Sequence, residues 1–88
     1  MDWQIEIDKN AQKSLKKIPD PYKSNIIETI DSLNNQPRPY KCKKLKSKSN
    51  LWRLRVGPYR IVYQIKDKKM FILIIRIGHR SDVYRGLD

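Results

Sequence analysis

Apolar and polar residues alternate near the start of the chain, with Trp3, Ile5 and Ile7 on one side and Gln4 and Glu6 on the other. That period predicts a strand over residues 2–7. Asp8 follows, and its carboxylate suits the free N–H groups of a first helical turn. Ala11, Leu15 and Ile18 then keep helical spacing with lysines between them, so a helix is expected through about Ile18, ended by Pro19. Asp20-Pro21 starts a second helix with a capping residue and a proline at the first helical position. Ile26, Ile27, Ile30 and Leu33 form its expected buried face, and Asn34-Asn35-Gln36-Pro37 stops it. Residues 37–50 read as a loop, and strands are expected at 51–56, 59–65 and 70–77. The order β-α-α-β-β-β predicts an α+β fold, with two N-terminal helices packed on one face of a small antiparallel sheet. No repeat or composition break divides residues 1–88, so a single domain is expected.

The hairpin at 51–65 has a testable register. Glycine first and proline second in Gly57-Pro58 fit a two-residue type II′ turn. Val56 then lies opposite Tyr59, Arg55 opposite Arg60, Leu54 opposite Ile61, Arg53 opposite Val62, and Trp52 opposite Tyr63. Alternation gathers Trp52, Leu54, Val56, Tyr59, Ile61 and Tyr63 on a core face, and Arg53, Arg55 and Arg60 on the other. Arg76 in the last strand is a candidate for the same basic face, although sequence leaves that register open.

Charge sharpens this picture. The chain carries 20 Lys and Arg against 9 Asp and Glu, a net charge of +11, which favours a polyanionic partner. Arg55 directly opposite Arg60 is unfavourable by about 0.2–1 kcal/mol. Arginine forks donate to phosphate in a bidentate way, so the pair reads as an anion site; the plainer reading is a solvated, charged sheet face. Lysines 41, 43, 44, 46 and 48 form a basic loop, suited to backbone contact with RNA or to solvent alone. His79, the only histidine, is of the residue type best suited to proton transfer near neutral pH, and reads either as a base or as a polar residue at a strand end. Asp82 is a candidate base on paper, and otherwise reads as a surface carboxylate pairing with an arginine such as Arg85.

Other classes recede. One cysteine, Cys42, forms no internal disulfide, which suits a reducing cytoplasm. Charges near the N-terminus replace the apolar core of a signal peptide, and the apolar run at 70–75 is too short to span a bilayer. A cytoplasmic protein with no membrane partner is expected. A lone histidine and a lone cysteine, far apart in sequence, predict no metal site, and no cofactor is expected.

The string LKSKSNLWRLRVGPYRIVYQI, followed by IIRIGHRSDVYR, resembles the RelE toxins of the RelE/ParE superfamily. With the N-terminal A-x-x-x-L-K-K-I-P segment, the resemblance runs over nearly the whole chain. It implies a compact fold of two helices against a curved antiparallel sheet. It also implies a toxin of a type II toxin–antitoxin system that enters the ribosomal A site and cuts messenger RNA. The implied partners are the ribosome, its message and an antitoxin, which the toxin's charge predicts to be acidic and partly disordered when free. Carried over by position, Arg53, Arg55, Arg60 and Arg80 hold and stabilise the scissile phosphate. Tyr84 orients the 2′-hydroxyl or stacks on a base, unless its ring merely packs over the sheet edge. His79 is the candidate for proton transfer, and Lys43, Lys44, Lys46, Lys48 and Arg76 bind RNA. The same resemblance admits a gyrase-poisoning ParE-like toxin that cuts no RNA, or an inactive nucleic-acid binder.

Overall fold

The computed structural model describes residues 3–46, 50–79 and 81–84, with the backbone alone at Ser81 and Asp82. Lys48, Arg80 and Arg85, three of the residues singled out above, lie outside the described residues. Among the described residues the elements are β1 (Gln4–Ile7), α1 (Lys9–Lys16), α2 (Tyr22–Ser32), β2 (Lys43–Lys44), β3 (Leu51–Val56), β4 (Tyr59–Lys66) and β5 (Phe71–Gly78). Short 3-10 turns follow β4 at Asp67–Lys69 and β5 at Ser81–Tyr84. Neither helix is long and apolar enough to cross a membrane.

The helices start where local chemistry favours it. Asp8 caps α1, its carboxylate accepting from Asn10 N–H at 3.0 Å. α1 closes at Lys16, before the expected Ile18, and a tight turn carries Ile18 back toward the core through Ile18 N–H to Leu15 C=O. α2 opens at Tyr22, one residue later than expected, with Pro21 in the cap position; Asp20 just ahead accepts from the N–H and hydroxyl of Ser24 at 3.2 and 2.9 Å. Ile26, Ile30 and Leu33 are buried, at i, i+4 and i+7. Ile27 departs from the expected buried face: it is 43% exposed, one residue around the helix from that stripe.

The sheet is mixed, in the order β1-β5-β4-β3-β2. The expectation of a wholly antiparallel sheet fails at one edge, where β1 runs parallel to β5 with Gln4 beside Phe71 and Ile7 beside Ile74. A parallel neighbour requires a crossover, and the two helices lie within the connection that supplies it. β2 is a second addition. Its two lysines carry no periodicity, so they read as loop, yet Lys43 pairs with Arg53 and Lys44 with Trp52. The hairpin follows the predicted register at every pair from Trp52–Tyr63 to Val56–Tyr59. Gly57 takes φ +60°, the positive value that the first position of a type II′ turn requires.

One face of the sheet meets the helices. Tyr63, Ile61, Ile65, Ile72 and Ile74 are buried there with Ala11, Ile26, Ile30 and Leu33. The other face is not simply solvated. Leu45, Leu51 and Val62 are buried on it, with Ile75, Val83 and Tyr84 packed against them.

Candidate nucleic-acid interface

A register shift decides which cations share this second face. Along β5, Ile72 and Ile74 point into the helix-side core, and plain alternation would send Arg76 in after them. Between β4 and β5 the pairs run Val62–Arg76 and then Tyr63–Ile74, leaving Ile75 as an extra residue. This bulge reverses the parity of the strand. Ile77 therefore joins the helix-side core opposite Ile61, while Arg76 sits opposite Val62 on the face of the arginines.

Cationic side chains consequently run across the sheet in two rows. Lys43, Arg53, Val62 and Arg76 form one, on β2, β3, β4 and β5; Arg55 and Arg60 form the next, ending at Gly78. Lys41, Lys43, Arg53, Arg55 and Arg60 line an open cavity of about 200 Å³. Among the described residues no carboxylate lies within ion-pair distance of these five; the ion pair present joins Arg38 to Asp67. A cationic concavity of this size on a rigid sheet, without an internal counter-charge, offers several N–H donors to one phosphate.

Gly78 and the last 3-10 turn complete the site. The side chain of Val83 occupies the space that a Cβ on Gly78 would need, so glycine lets the turn fold flat over the sheet. The fold-back sets the Tyr84 ring beneath two guanidinium groups, 5.6 Å from Arg53 and 6.0 Å from Arg60. The Tyr84 hydroxyl is buried with no hydrogen-bond partner among the described residues. Two backbone carbonyls tie the turn to the sheet: Arg60 Nη1 donates to His79 C=O and Arg76 Nη1 to Val83 C=O, each at 3.2 Å. A second cavity of about 260 Å³, lined by Lys44, Leu45, Lys46, Arg53 and Tyr84, continues from the first across Arg53.

The structure thus brings together Arg53, Arg55, Arg60, Tyr84, Lys43, Lys44, Lys46 and Arg76 from the sequence-based candidates. It treats His79 differently. Its ring packs edge-on against Tyr59, with centroids 5.2 Å apart, and Tyr59 belongs to the helix-side core. His79 therefore lends the site its backbone carbonyl, and its imidazole lines neither arginine cavity. Lys41, named only as part of the basic loop, joins the arginine cavity itself. It sat unremarkably in a run of loop lysines, and only the pairing of β2 onto β3 turns it toward Arg53 and Arg55.

The loop that carries Lys41 is pinned from below. Arg38 makes a two-pronged contact with Asp67, Nη1 to Oδ1 at 3.1 Å and Nη2 to Oδ2 at 2.9 Å. Its guanidinium lies 4.8 Å from the Trp52 ring centroid. The hydrogen bond from Arg38 holds the Asp67 carboxyl below its usual range, and the same bond raises Arg38 further. Asn50 bridges the network, donating to Ile65 C=O at 2.7 Å and accepting from Trp52 Nε1 at 2.7 Å. Tyr63 donates its hydroxyl to Pro37 C=O at 2.9 Å. Burial pushes that phenol well above its ordinary value, so it stays a donor. Among the described residues no group of three or more His, Cys, Asp or Glu is placed to hold a metal ion.

Known proteins share this architecture. Residues 5–84 match the family described as the ParE toxin of the type II toxin–antitoxin system, parDE. The RelE1 protein of Methanocaldococcus jannaschii is 30% identical over 89 residues, covering 98% of this chain and 99% of its own. The mRNA interferase toxin RelE of Escherichia coli K12 is 27% identical over 88 residues, covering 96% of this chain and 92% of its own. In the crystal structure of the archaeal RelE–RelB complex from Pyrococcus horikoshii, one chain superposes with a TM-score of 0.82 at 28% identity, covering 92% of this chain and 98% of that one. With the family match spanning both helices, the sheet and the turn that carries Tyr84, this chain belongs to the RelE/ParE superfamily of type II toxin–antitoxin toxins.

Proposed function

We propose that the protein is a messenger RNA endonuclease acting at the ribosomal A site, and that an antitoxin holds it silent. The observation that carries this reading is the cluster of Lys41, Lys43, Arg53, Arg55 and Arg60 around one cavity, with no carboxylate paired to it among the described residues and Tyr84 tucked beneath two of the arginines. The E. coli relative named mRNA interferase supports it.

RNA carries its own nucleophile. The 2′-hydroxyl attacks the adjacent phosphorus, its proton passes to a base, and the 5′ oxygen leaves with a proton, giving a 2′,3′-cyclic phosphate and a free 5′-hydroxyl. Negative charge grows on the phosphoryl oxygens in the transition state. Arg53, Arg55 and Arg60, fixed on paired strands, are preorganised to receive it. Their role is electrostatic, since a guanidinium holds its proton at any working pH. Tyr84 supplies a hydroxyl that has no hydrogen-bond partner among the described residues. A phosphate gripped by Arg53 and Arg60 brings its neighbouring 2′-hydroxyl toward the Tyr84 ring beneath them, whose hydroxyl orients it. Arg80 and Lys48 belong to the same proposal as further phosphate contacts. His79 takes no proton in this scheme unless its ring leaves Tyr59.

The neighbouring RelE–RelB complexes support an antitoxin partner here too. An acidic, extended antitoxin segment would cover the arginine face, and rising salt would loosen the complex. Such a toxin works in the cytoplasm, where ribosomes are.

Primer extension on translated message after induction tests the assignment. The wild type yields discrete cuts, and Arg60→Ala slows them by about 10²–10³-fold, as loss of one oxyanion donor does. Wild-type cutting by Arg60→Ala sinks the assignment. The ParE wording of the matched family keeps a second reading in view, that of a gyrase poison. Intact message together with gyrase-linked DNA breaks would select it.

A further inference from the structure

Tyr40 is fully exposed, at 100% relative accessibility, although the loop around it is firmly held. Pro37 C=O accepts from Tyr63, Arg38 grips Asp67 and lies over Trp52, and Cys42 N–H donates to Pro39 C=O at 3.0 Å. Prolines on both sides of Arg38 restrict the backbone further. A large ring is thus presented to solvent by a backbone with few alternatives. That arrangement lowers the ordering cost of a stacking contact.

What lies beside the ring indicates its occupant. Tyr40 borders an open groove of about 350 Å³ with Thr29, Ser32, Leu54, Lys41 and Arg55. Lys41 and Arg55 also line the arginine cavity, so the two depressions share a wall of cations. A chain that places a phosphate in the first runs directly into the second. Its next unit meets an aromatic face, two positive charges and the oxygens of Thr29 and Ser32, whose hydroxyls donate to helix carbonyls and keep only acceptor capacity; the ring and the cations suit an unpaired base on a phosphodiester backbone.

We infer that Tyr40 is a stacking platform for the unpaired nucleotide next to the phosphate held by Arg53, Arg55 and Arg60, and so a positioning residue for cleavage. The inference rests on the nuclease reading and adds a subsite to it. Stacking tolerates any base, so this subsite contributes placement rather than sequence choice.

The test is single-turnover cleavage, at subsaturating toxin, of ribosomes programmed with message whose A-site codon and flanking nucleotides are made abasic one at a time. Tyr40→Ala cuts intact message about 5- to 150-fold more slowly, the range that loss of one base–aromatic stack gives. Tyr40→Trp keeps the wild-type rate. Removing one particular base slows the wild type by the same factor and slows Tyr40→Ala no further. The ring makes no packing contact to lose, so a folding defect does not confound the comparison. Wild-type cleavage by Tyr40→Ala overturns the inference. So do equal abasic penalties in both proteins at every position, or a loss confined to the antitoxin complex. If the wild-type protein leaves all messages intact, the nuclease reading itself has failed, and the inference falls with it.

Discussion

Replacing Gly78 by alanine should lift the last 3-10 turn off the sheet. A methyl group at this position enters the space of Val83 Cγ1, while Val83 Cβ, 3.7 Å away, stays in ordinary contact. Val83 is β-branched, so rotation about χ1 offers little escape. The turn must move, and with it the packing of Val83 and Tyr84 on Leu45, Leu51 and Val62. Overpacking of this kind costs about 1–3 kcal/mol. Half-buried Val83 contributes about 1 kcal/mol of its own, roughly half the value for complete burial of a valine. Urea denaturation of four proteins decides the matter: wild type, Gly78→Ala, Val83→Ala and the double variant. Gly78→Ala should lose about 1–3 kcal/mol, a fall in Tm of about 4–8 °C for each kcal/mol. In the double variant the new methyl fills the vacated space, so the two losses should fall short of their sum by about 0.5–3 kcal/mol. Strictly additive losses would show that the contact between Gly78 and Val83 does not hold the turn down.

Arg55→Gln should leave the fold unharmed or stabilise it by about 0.2–1 kcal/mol at low salt, since it relieves the repulsion across the Arg55–Arg60 pair, while message cleavage falls; thermal unfolding with and without salt, beside a cleavage assay, checks both halves. Asp67 should titrate below the ordinary carboxylate range and return to it in Arg38→Ala, as followed by carboxyl NMR. Because its folded-state value is depressed, the clamp's contribution is present above about pH 4 and is lost as pH falls through the lowered value, so Asp67→Asn and wild type should converge in acid. Tyr63→Phe leaves Pro37 C=O without its donor and should cost about 1–3 kcal/mol by denaturant titration. Burial raises the Tyr63 phenol, so its contribution is complete below about pH 10 and declines above it as the unfolded chain ionises; the phenylalanine variant should show a flatter stability profile in base.

Much of this was legible because it rests on strict periods. The alternation in β3 and β4, with Gly57-Pro58 between them, determined a register that the structure reproduces pair by pair. Asp8 announced α1 through its short carboxylate. What escaped depends on contacts between distant segments. The bulge at Ile75 leaves no mark in an unbroken apolar run, yet it sends Arg76 to the face opposite that of Ile74. The parallel seating of β1 is decided by where the helices deliver the chain. Lys43 and Lys44 become a strand only because β3 offers an edge. At the site, the arginines of β3 and β4 were readable from alternation. The apolar bed beneath them was not, since Leu45, Leu51, Val62 and Val83 meet only once the C-terminal turn has folded back. For His79 the sequence offered its chemistry but not its placement, since the contact of its ring with Tyr59 forms only in the fold.

The seam between Gln4–Ile7 and Phe71–Ile74 joins segments from opposite ends of the sequence. Contacts so widely separated form late, because loop closure must precede any gain from the pairing. While the chain is being translated, its first strand has nowhere to dock until the last has cleared the exit tunnel. The hairpin bearing the guanidinium groups therefore lacks its full backing until residues 71–74 have emerged to receive that first strand.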